Sequence, residues 1–146
     1  MNHVHISVPT RSSIKSETVI WLLAQGATES YNMSGQILTS DWPIDSQRNK
    51  QVKGLLDVPE ATHIFFLDSD VVPPMDAISI LLGHNKDIVA GVYPAVMEGH
   101  AIWSAFNQVK NSQFEPIPLE EQKGLQPVDG IGMGCCLVTR KVFEKL

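Results

Sequence analysis

The chain has 146 residues, of which 43% are hydrophobic and 18% charged, and these proportions predict one folded domain, residues 1–146. Its formal net charge of -5 argues against a general nucleic-acid-binding protein, which needs a basic surface. No apolar run approaches the roughly 20 residues that span a bilayer, and the amino terminus lacks a signal-peptide pattern. The only cysteines, Cys135 and Cys136, are adjacent and are expected to be reduced and buried, so we expect a cytoplasmic protein.

The first predicted unit is a strand, a loop and a helix. Val4, Ile6 and Val8 alternate with polar residues, which is typical of a strand, and Pro9 ends it. The loop that follows contains Thr10 and Arg11, and a helix is predicted over residues 14–25, with Ser12 or Ser13 as its cap. Such a loop offers backbone N–H groups, a helix start and the Arg11 cation to an anionic ligand.

The second predicted unit repeats this arrangement. A short strand over residues 36–40 leads into a loop that contains Asp41, and a helix begins at Asp45 or Ser46 and extends to Leu56. Arg48 falls in the first turn of that helix, where a cation opposes the helix dipole. A phosphate or carboxylate partner explains Arg48 better than local stability does, although a solvated surface arginine remains an alternative.

The most informative stretch is the apolar run of residues 63–67, which is followed by Asp68, Ser69 and Asp70 and then by two prolines. The run predicts a strand buried on both faces, so that the two carboxylates lie at the carboxyl end of a central strand, where α/β proteins bind ligands. Two carboxylates this close repel each other, and a hard cation such as Mg²⁺ or Mn²⁺ would relieve that repulsion. The alternative is an ordinary surface turn, in which Asp and Ser are common.

The rest of the chain has weaker patterns. A helix is predicted over residues 75–82, a buried strand over 88–92 and a further strand over 102–106. Residues 107–126 are polar and contain two prolines, and they predict either a hairpin or a mobile loop. A glycine-rich segment from Asp129 to Gly134 precedes a predicted strand over residues 135–138 and a last helix over 140–146. Because this segment leads into a strand instead of a helix, it is not a dinucleotide-binding fingerprint.

These motifs, taken in order, resemble the GT-A glycosyltransferases. The segments that carry the resemblance are residues 6–10, with their Pro-Thr; the Asp41 loop; residues 46–49; residues 65–70, with their DxD motif; and residues 129–143. The resemblance implies an α/β fold of the Rossmann-like GT-A type, with three α/β/α layers and a mainly parallel central sheet. It also implies a nucleotide-binding half over about residues 1–95 and an acceptor-side half over about residues 96–146.

The same resemblance implies a metal-dependent glycosyltransferase, a hexosyltransferase that moves a sugar from a nucleoside-diphosphate donor to an acceptor hydroxyl. The implied donor is a UDP-sugar, and Mn²⁺ or Mg²⁺ would be held by Asp68 and Asp70. The remaining implied nucleotide-binding residues are Pro9, Thr10, Arg11, Asp41, Arg48 and Ser69. Asp70 and Asp129 are the implied catalytic residues, with Asp129 as the base in an inverting reaction.

Longer family members carry a further metal-binding histidine and a catalytic acid beyond the matched region, and no residue here stands in a matching place. Glu98 is a second candidate for the base, and His100 is a candidate contact for the metal or the acceptor. Two other functions fit the same motif. One is a haloacid-dehalogenase-like phosphatase, with Asp68 as nucleophile and Asp70 as acid and base. The other is a nucleotide-sugar binding module without catalysis.

Overall fold

The computed structural model describes residues 1–97, 99–110, 113–122 and 124–145. The strands are β1 (His3–Thr10), β2 (Asn32–Thr39), β3 (His63–Leu67), β4 (Ile88–Ala90), β5 (Pro94–Met97), β6 (His100–Trp103), β7 (Ala105–Lys110), β8 (Gln113–Pro116), β9 (Gly130–Ile131) and β10 (Cys135–Thr139). The helices are α1 (Ser16–Gln25), α2 (Ile44–Leu56), α3 (Ala77–Gly83) and α4 (Arg140–Phe143), and a 3₁₀ turn covers Leu119–Glu121. None of the helices in the described ranges is long and apolar enough to cross a membrane.

The central sheet has five strands in the order β2-β1-β3-β10-β4 and is mixed. β1 pairs in parallel with β2 and β3, whereas β10 pairs antiparallel with both β3 and β4. Two smaller antiparallel sheets, β5-β6 and β8-β7-β9, complete the described strands. The predicted Rossmann-like GT-A fold with its mainly parallel sheet is therefore wrong. An apolar run such as residues 135–138 reveals that a strand is buried but not the direction in which it runs.

The two faces of the central sheet carry different helices. On one face, α1 and α3 cover Val4, Ile6, Val8, Phe65, Leu67 and Leu137, and the Trp21 ring lies 5.9 Å from the Phe65 ring. On the other face, α2 and α4 cover a smaller apolar cluster that includes Leu55, Ile64, Phe66 and Val138. β3 therefore contributes alternate side chains to both clusters, as expected for a strand in the middle of a sheet.

The buried face of α1 also binds the chain that follows the two aspartates. Its buried residues are Thr18, Trp21 and Gln25. Their side chains donate hydrogen bonds to the carbonyl groups of Val71, Pro74 and Met75 at 3.2, 3.2 and 3.4 Å. The two prolines of this segment have no backbone N–H to donate, and the three side-chain donors of α1 fix the segment through its carbonyl groups.

The α2 face contains a layer of buried polar side chains. Gln47 and Gln51 of α2 are 1% and 0% exposed, and Ser7 of β1 is 0% exposed. Gln36 of β2 donates to the Ser7 hydroxyl at 3.3 Å and to the Gln51 carbonyl at 3.0 Å. At the far end of α2, the Arg140 guanidinium donates to four carbonyl groups, those of Leu55, Leu56, Val58 and Ala61. A cation at a helix carboxyl terminus is favourably placed, so Arg140 anchors this end of α2.

Element boundaries differ from the sequence prediction where tertiary contacts decide them. α1 begins at Ser16 instead of residue 14, because Lys15 is extended and its N–H donates to the Ser69 carbonyl at 3.0 Å. β2 begins at Asn32, four residues earlier than predicted, because this polar stretch pairs with β1. Within the predicted segment, residues 107–110 and 113–116 pair as β7 and β8, which is the hairpin alternative. β10, which lies in the predicted acceptor-side half, is a strand of the central sheet.

Candidate functional site

A cleft of about 380 Å³ lies at the carboxyl ends of β1 and β3, and we call it the β1–β3 cleft. Its volume is within the range of small-molecule binding sites. Three loops build it: the loop after β1, the start of α2 and the turn after β3. The residues that line it are Pro9, Thr10, Arg11, Ser13, Lys15, Ile44, Gln47, Arg48, Asp68, Ser69 and Asp70.

The cleft brings together most of the residues expected at a nucleotide site. These residues are Pro9, Thr10, Arg11, Arg48, Asp68, Ser69 and Asp70. They come from three separate parts of the chain, and they meet because β1 and β3 are parallel neighbours that end at the same edge of the sheet. Asp41 and Asp129 are not among the lining residues.

Backbone hydrogen bonds hold two walls of the cleft together. The Thr10 hydroxyl donates to the Ser13 carbonyl at 2.6 Å, which folds the loop after β1. The Lys15 N–H donates to the Ser69 carbonyl at 3.0 Å and thereby joins the start of α1 to the turn after β3. The Val71 N–H donates to the Asp68 carbonyl at 3.1 Å and closes that turn. The two aspartates are therefore carried by a turn that α1 also supports.

Asp68 is enclosed on both sides. Its Oδ1 accepts a hydrogen bond from Arg48 Nη2 at 3.0 Å, and the two side chains are 31% and 23% exposed. Its Oδ2 faces Gly134, where an added Cβ would come within 2.5 Å of Oδ2 and 2.6 Å of the Tyr93 hydroxyl oxygen. Only glycine at position 134 leaves room for this carboxylate, because any side chain would displace it.

Tyr93 lies beside Gly134, as the Asp68 carboxylate does. Its hydroxyl oxygen accepts a hydrogen bond from the Gly134 N–H at 2.8 Å. Burial raises the pKa of Tyr93 above its ordinary value, the Gly134 N–H lowers it in part, and the Asp68 carboxylate raises it further. The hydroxyl therefore stays protonated at neutral pH and can donate a hydrogen bond.

Asp70 differs from Asp68 in being exposed, and it has no hydrogen bond or ion pair with any described residue. The described residues contain no group of three or more His, Cys, Asp and Glu side chains that could hold a metal ion. The fit to Mg²⁺ or Mn²⁺ is therefore that of a two-carboxylate site, in which one or two protein carboxylates are completed by substrate phosphates. The free Asp70 carboxylate suits direct coordination, whereas Asp68 Oδ1 is shared with Arg48.

Three cationic side chains line the β1–β3 cleft together with Asp68 and Asp70, although the whole chain has a net charge of -5. Arg48 is paired with Asp68, whereas Arg11 and Lys15 are exposed and form no ion pair with the described residues. The sequence analysis overlooked Lys15, as well as Ser13, Ile44, Gln47, Tyr93 and Gly134. Lys15 precedes the first residue of α1, where a cation opposes the helix dipole, so the argument used for Arg48 also applies to it.

The other candidate residues lie elsewhere. Asp41 is exposed in the loop after β2, and this loop is held by Gln47 Nε2, which donates to the carbonyl groups of Ser40 and Trp42 at 3.0 and 2.9 Å. Asp129 lines a second cleft of about 820 Å³ between β4 and residues 122 and 124–131, and its Oδ2 accepts the Gln108 N–H at 2.8 Å. His100 is exposed on β6, and Glu98 lies outside the described residues.

Comparisons with known proteins give a likeness of fold. No family model matches the sequence, and no curated protein matches it. Among solved structures, the crystal structure of A197 from STIV is similar, with a TM-score of 0.70 and 19% sequence identity. The match covers 100% of this chain and 69% of that chain. At this identity the similarity shows a shared fold and no more.

Proposed function

We propose that this chain binds a nucleoside-diphosphate sugar together with a divalent cation and transfers the sugar to an acceptor hydroxyl. The observation that supports this most is the convergence of Arg11, Lys15 and Arg48 with Asp68 and Asp70 in one cleft. Cations alone suit a phosphate, and paired acids alone suit a metal ion. Their combination suits a metal-bound diphosphate, in which the phosphate oxygens contact both.

Each charged residue has a distinct task in this proposal. Asp70 would hold Mn²⁺ or Mg²⁺ directly and Asp68 would contact the ion through water, and the ion would act as a Lewis acid on the diphosphate leaving group. Arg11 and Lys15, which have no ion pair among the described residues, would contact the remaining phosphate charge. Arg48 keeps the Asp68 carboxylate in place, and the exposed Ile44 and buried Pro9 supply apolar surface for the nucleotide base. A UDP-sugar is the donor to test first, on the basis of the resemblance.

A catalytic base is the weakest element of the site, and it supports a second candidate function. Asp68 and Asp70 are the acids that line the cleft, and Asp129 lies in the second cleft, bound to the Gln108 N–H. A retaining transfer needs no separate base of this kind. The alternative is a module that binds the nucleotide sugar with its metal and leaves it intact.

A phosphatase reaction is less well supported by the geometry. A nucleophilic carboxylate must approach the phosphorus atom freely. Asp68 Oδ1 is bound by Arg48, and its Oδ2 is packed against Gly134 and Tyr93. The phosphatase reaction is therefore kept as an outcome that the following experiment can detect.

The experiment is a thermal-unfolding screen with UDP, UDP-sugars and other nucleoside diphosphates, each with and without Mn²⁺. A ligand that binds only the native state adds about 2.7 kcal/mol at a hundredfold excess over Kd. We expect a rise in Tm that needs both nucleotide and metal, and we expect Asp70→Asn to abolish it. The matched control is Asp57→Asn, because Asp57 is an exposed acid outside the cleft with no described ion pair.

The outcomes separate the candidates. Release of UDP from the sugar donor in the presence of an acceptor supports transfer, whereas a metal-dependent rise in Tm without turnover supports the binding module. A rise with Mg²⁺ and a phosphate mimic, but with no nucleotide, supports the phosphatase. If Asp57→Asn and Asp70→Asn respond equally to nucleotide and Mn²⁺, the β1–β3 cleft is not the metal-dependent site.

A further inference from the structure

β2 forms one edge of the central sheet, and no strand among the described residues pairs with its outer side. The Asn32 and Ser40 N–H groups donate to the Asn2 and Thr10 carbonyl groups at 2.9 and 3.0 Å. Backbone groups of successive residues in a strand point to opposite edges, so the even-numbered residues face β1. The N–H and C=O groups of Met33, Gly35, Ile37 and Thr39 therefore point away from the sheet, and all four residues are exposed.

This edge lacks the features that normally keep sheet edges apart. Native edges are usually short, charged, interrupted by proline or covered. β2 is eight residues long, and its sequence, Asn-Met-Ser-Gly-Gln-Ile-Leu-Thr, contains no charge and no proline. The opposite edge, β4, is three residues long, follows Lys86 and Asp87, and shares a cleft with residues 122 and 124–131. The contrast between the two edges indicates that β2, unlike β4, is open to pairing with another strand.

From these features we propose that the β2 edge pairs with the β2 edge of a second copy of this chain, antiparallel and around a twofold axis at Gly35. A second copy fits because an uncharged strand meets its own copy without like-charge repulsion, although the whole chain carries a net charge of -5. The pairing would join two five-stranded sheets into one continuous sheet and would satisfy the outward backbone groups on both copies.

The proposed register follows from the exposed side chains. Met33 and Ile37 are 37% and 55% exposed, and they lie on either side of Gly35. With the axis at Gly35, Met33 of one copy lies opposite Ile37 of the other, so each dimer gains two apolar cross-strand pairs. An added Cβ at Gly35 would come within 2.8 Å of the Ile6 carbonyl oxygen, so glycine is also needed there by the chain itself.

The first test is the mass in solution, measured by sedimentation equilibrium over a range of concentrations. We expect the wild-type chain to form a dimer and Ile37→Lys to raise its dissociation constant about tenfold or more, since the substitution enters each interface twice. Met33→Glu should do the same. The double variant Met33→Glu/Ile37→Lys should dimerise again, because each lysine then lies opposite a glutamate of the other copy. Within one chain these two residues are roughly 13 Å apart along the strand and cannot pair.

The control is Ile20→Lys on α1, where the side chain is 66% exposed and lies outside β2. It should leave the dissociation constant unchanged, and a cooperative thermal transition should confirm that each variant is folded. A wild-type chain that stays monomeric at every concentration overturns the proposal. Dissociation by Ile20→Lys moves the interface to α1 and also overturns it. A double variant that stays monomeric while folded excludes the proposed antiparallel register.

Discussion

The two faces of the central sheet are stabilised in different ways. On the α1 face, buried apolar side chains pack together, and the polar groups of α1 that are buried there find carbonyl partners. On the α2 face, polar side chains are buried, and five of their nitrogen and oxygen atoms have no hydrogen-bond partner in the described residues. They belong to His5, Gln47, Arg48 and Gln51. The α1 face thus has the larger apolar cluster, and the α2 face carries polar groups up to the cleft.

This difference concerns function because α2 supplies Arg48, Ile44 and Gln47 to the β1–β3 cleft. A helix that packs through polar contacts gains less free energy from burial than one that packs through apolar contacts. Elements near the low end of local stability are the ones that move in ligand binding. We therefore expect α2 to adjust when a ligand binds, while α1 holds the turn with Asp68 and Asp70 in place.

The largest expected effect is on the α1 face. Phe65→Ala removes a side chain that is 0% exposed and should lower the free energy of unfolding by about 3–5 kcal/mol, through lost burial and a cavity. Chemical denaturation measures it. Phe114→Ala is the control, because Phe114 is 49% exposed on β8, and it should cost about 1 kcal/mol or less. Similar costs for the two variants would contradict the position of the core.

Removal of the Arg140 anchor should have the next largest effect. Arg140→Met removes four hydrogen bonds, two to the carboxyl end of α2 and two to the segment that follows it, and should cost about 1.5–3 kcal/mol of unfolding free energy. Hydrogen exchange should show the loss concentrated in α2. Lys141→Met is the neighbouring control, since the exposed pair of Lys141 with Asp87 should contribute less than about 1 kcal/mol. Uniform loss of protection over the whole sheet would argue against a local anchor.

A pair of glutamine substitutions tests the two faces directly. Gln51→Met should be neutral or stabilising by about 1 kcal/mol, because both polar atoms of its amide are buried without a partner. Gln25→Met should be destabilising by about 1 kcal/mol, because its amide donates to the Met75 carbonyl and accepts from the Tyr31 hydroxyl. Denaturant midpoints with unchanged slopes measure both changes. Equal signs for the two variants would remove the proposed contrast between the faces.

The smallest effect concerns pH. Burial lowers the pKa of His5, and the nearby His3 lowers it further; burial also lowers the pKa of His63. Below about pH 6.5 the unfolded chain binds protons that the folded chain does not, so stability should fall as the pH falls from there towards the folded-state pKa values. His5→Asn should flatten this slope in part and leave the share due to His63. An unchanged slope would mean that His5 is protonated in the folded state.

The sequence indicates which residues meet in the β1–β3 cleft better than it indicates the fold. The apolar run before Asp68 and the polar ends of β1 and α2 are local signals, and parallel neighbours bring them to one edge. The direction of β10 is not a local signal, because a reversed buried strand has the same apolar pattern. The position of Asp129 is not a local signal either, because the pairing of β9 with β7 places Asp129 beside a different cleft. Lys15 was predictable from its position before α1 and was overlooked.

The place of β10 between β3 and β4 has a consequence for how the protein folds during synthesis. β3 and β4 are complete long before residues 135–139 emerge, and they do not pair with each other. Until then the Phe65-Phe66-Leu67 stretch has an open edge, which can associate with other unfolded chains. Contacts between residues so distant in sequence also slow folding, because a long loop must close first. We therefore expect the yield of folded protein to depend on temperature and on chaperones that shield these strands until β10 is made.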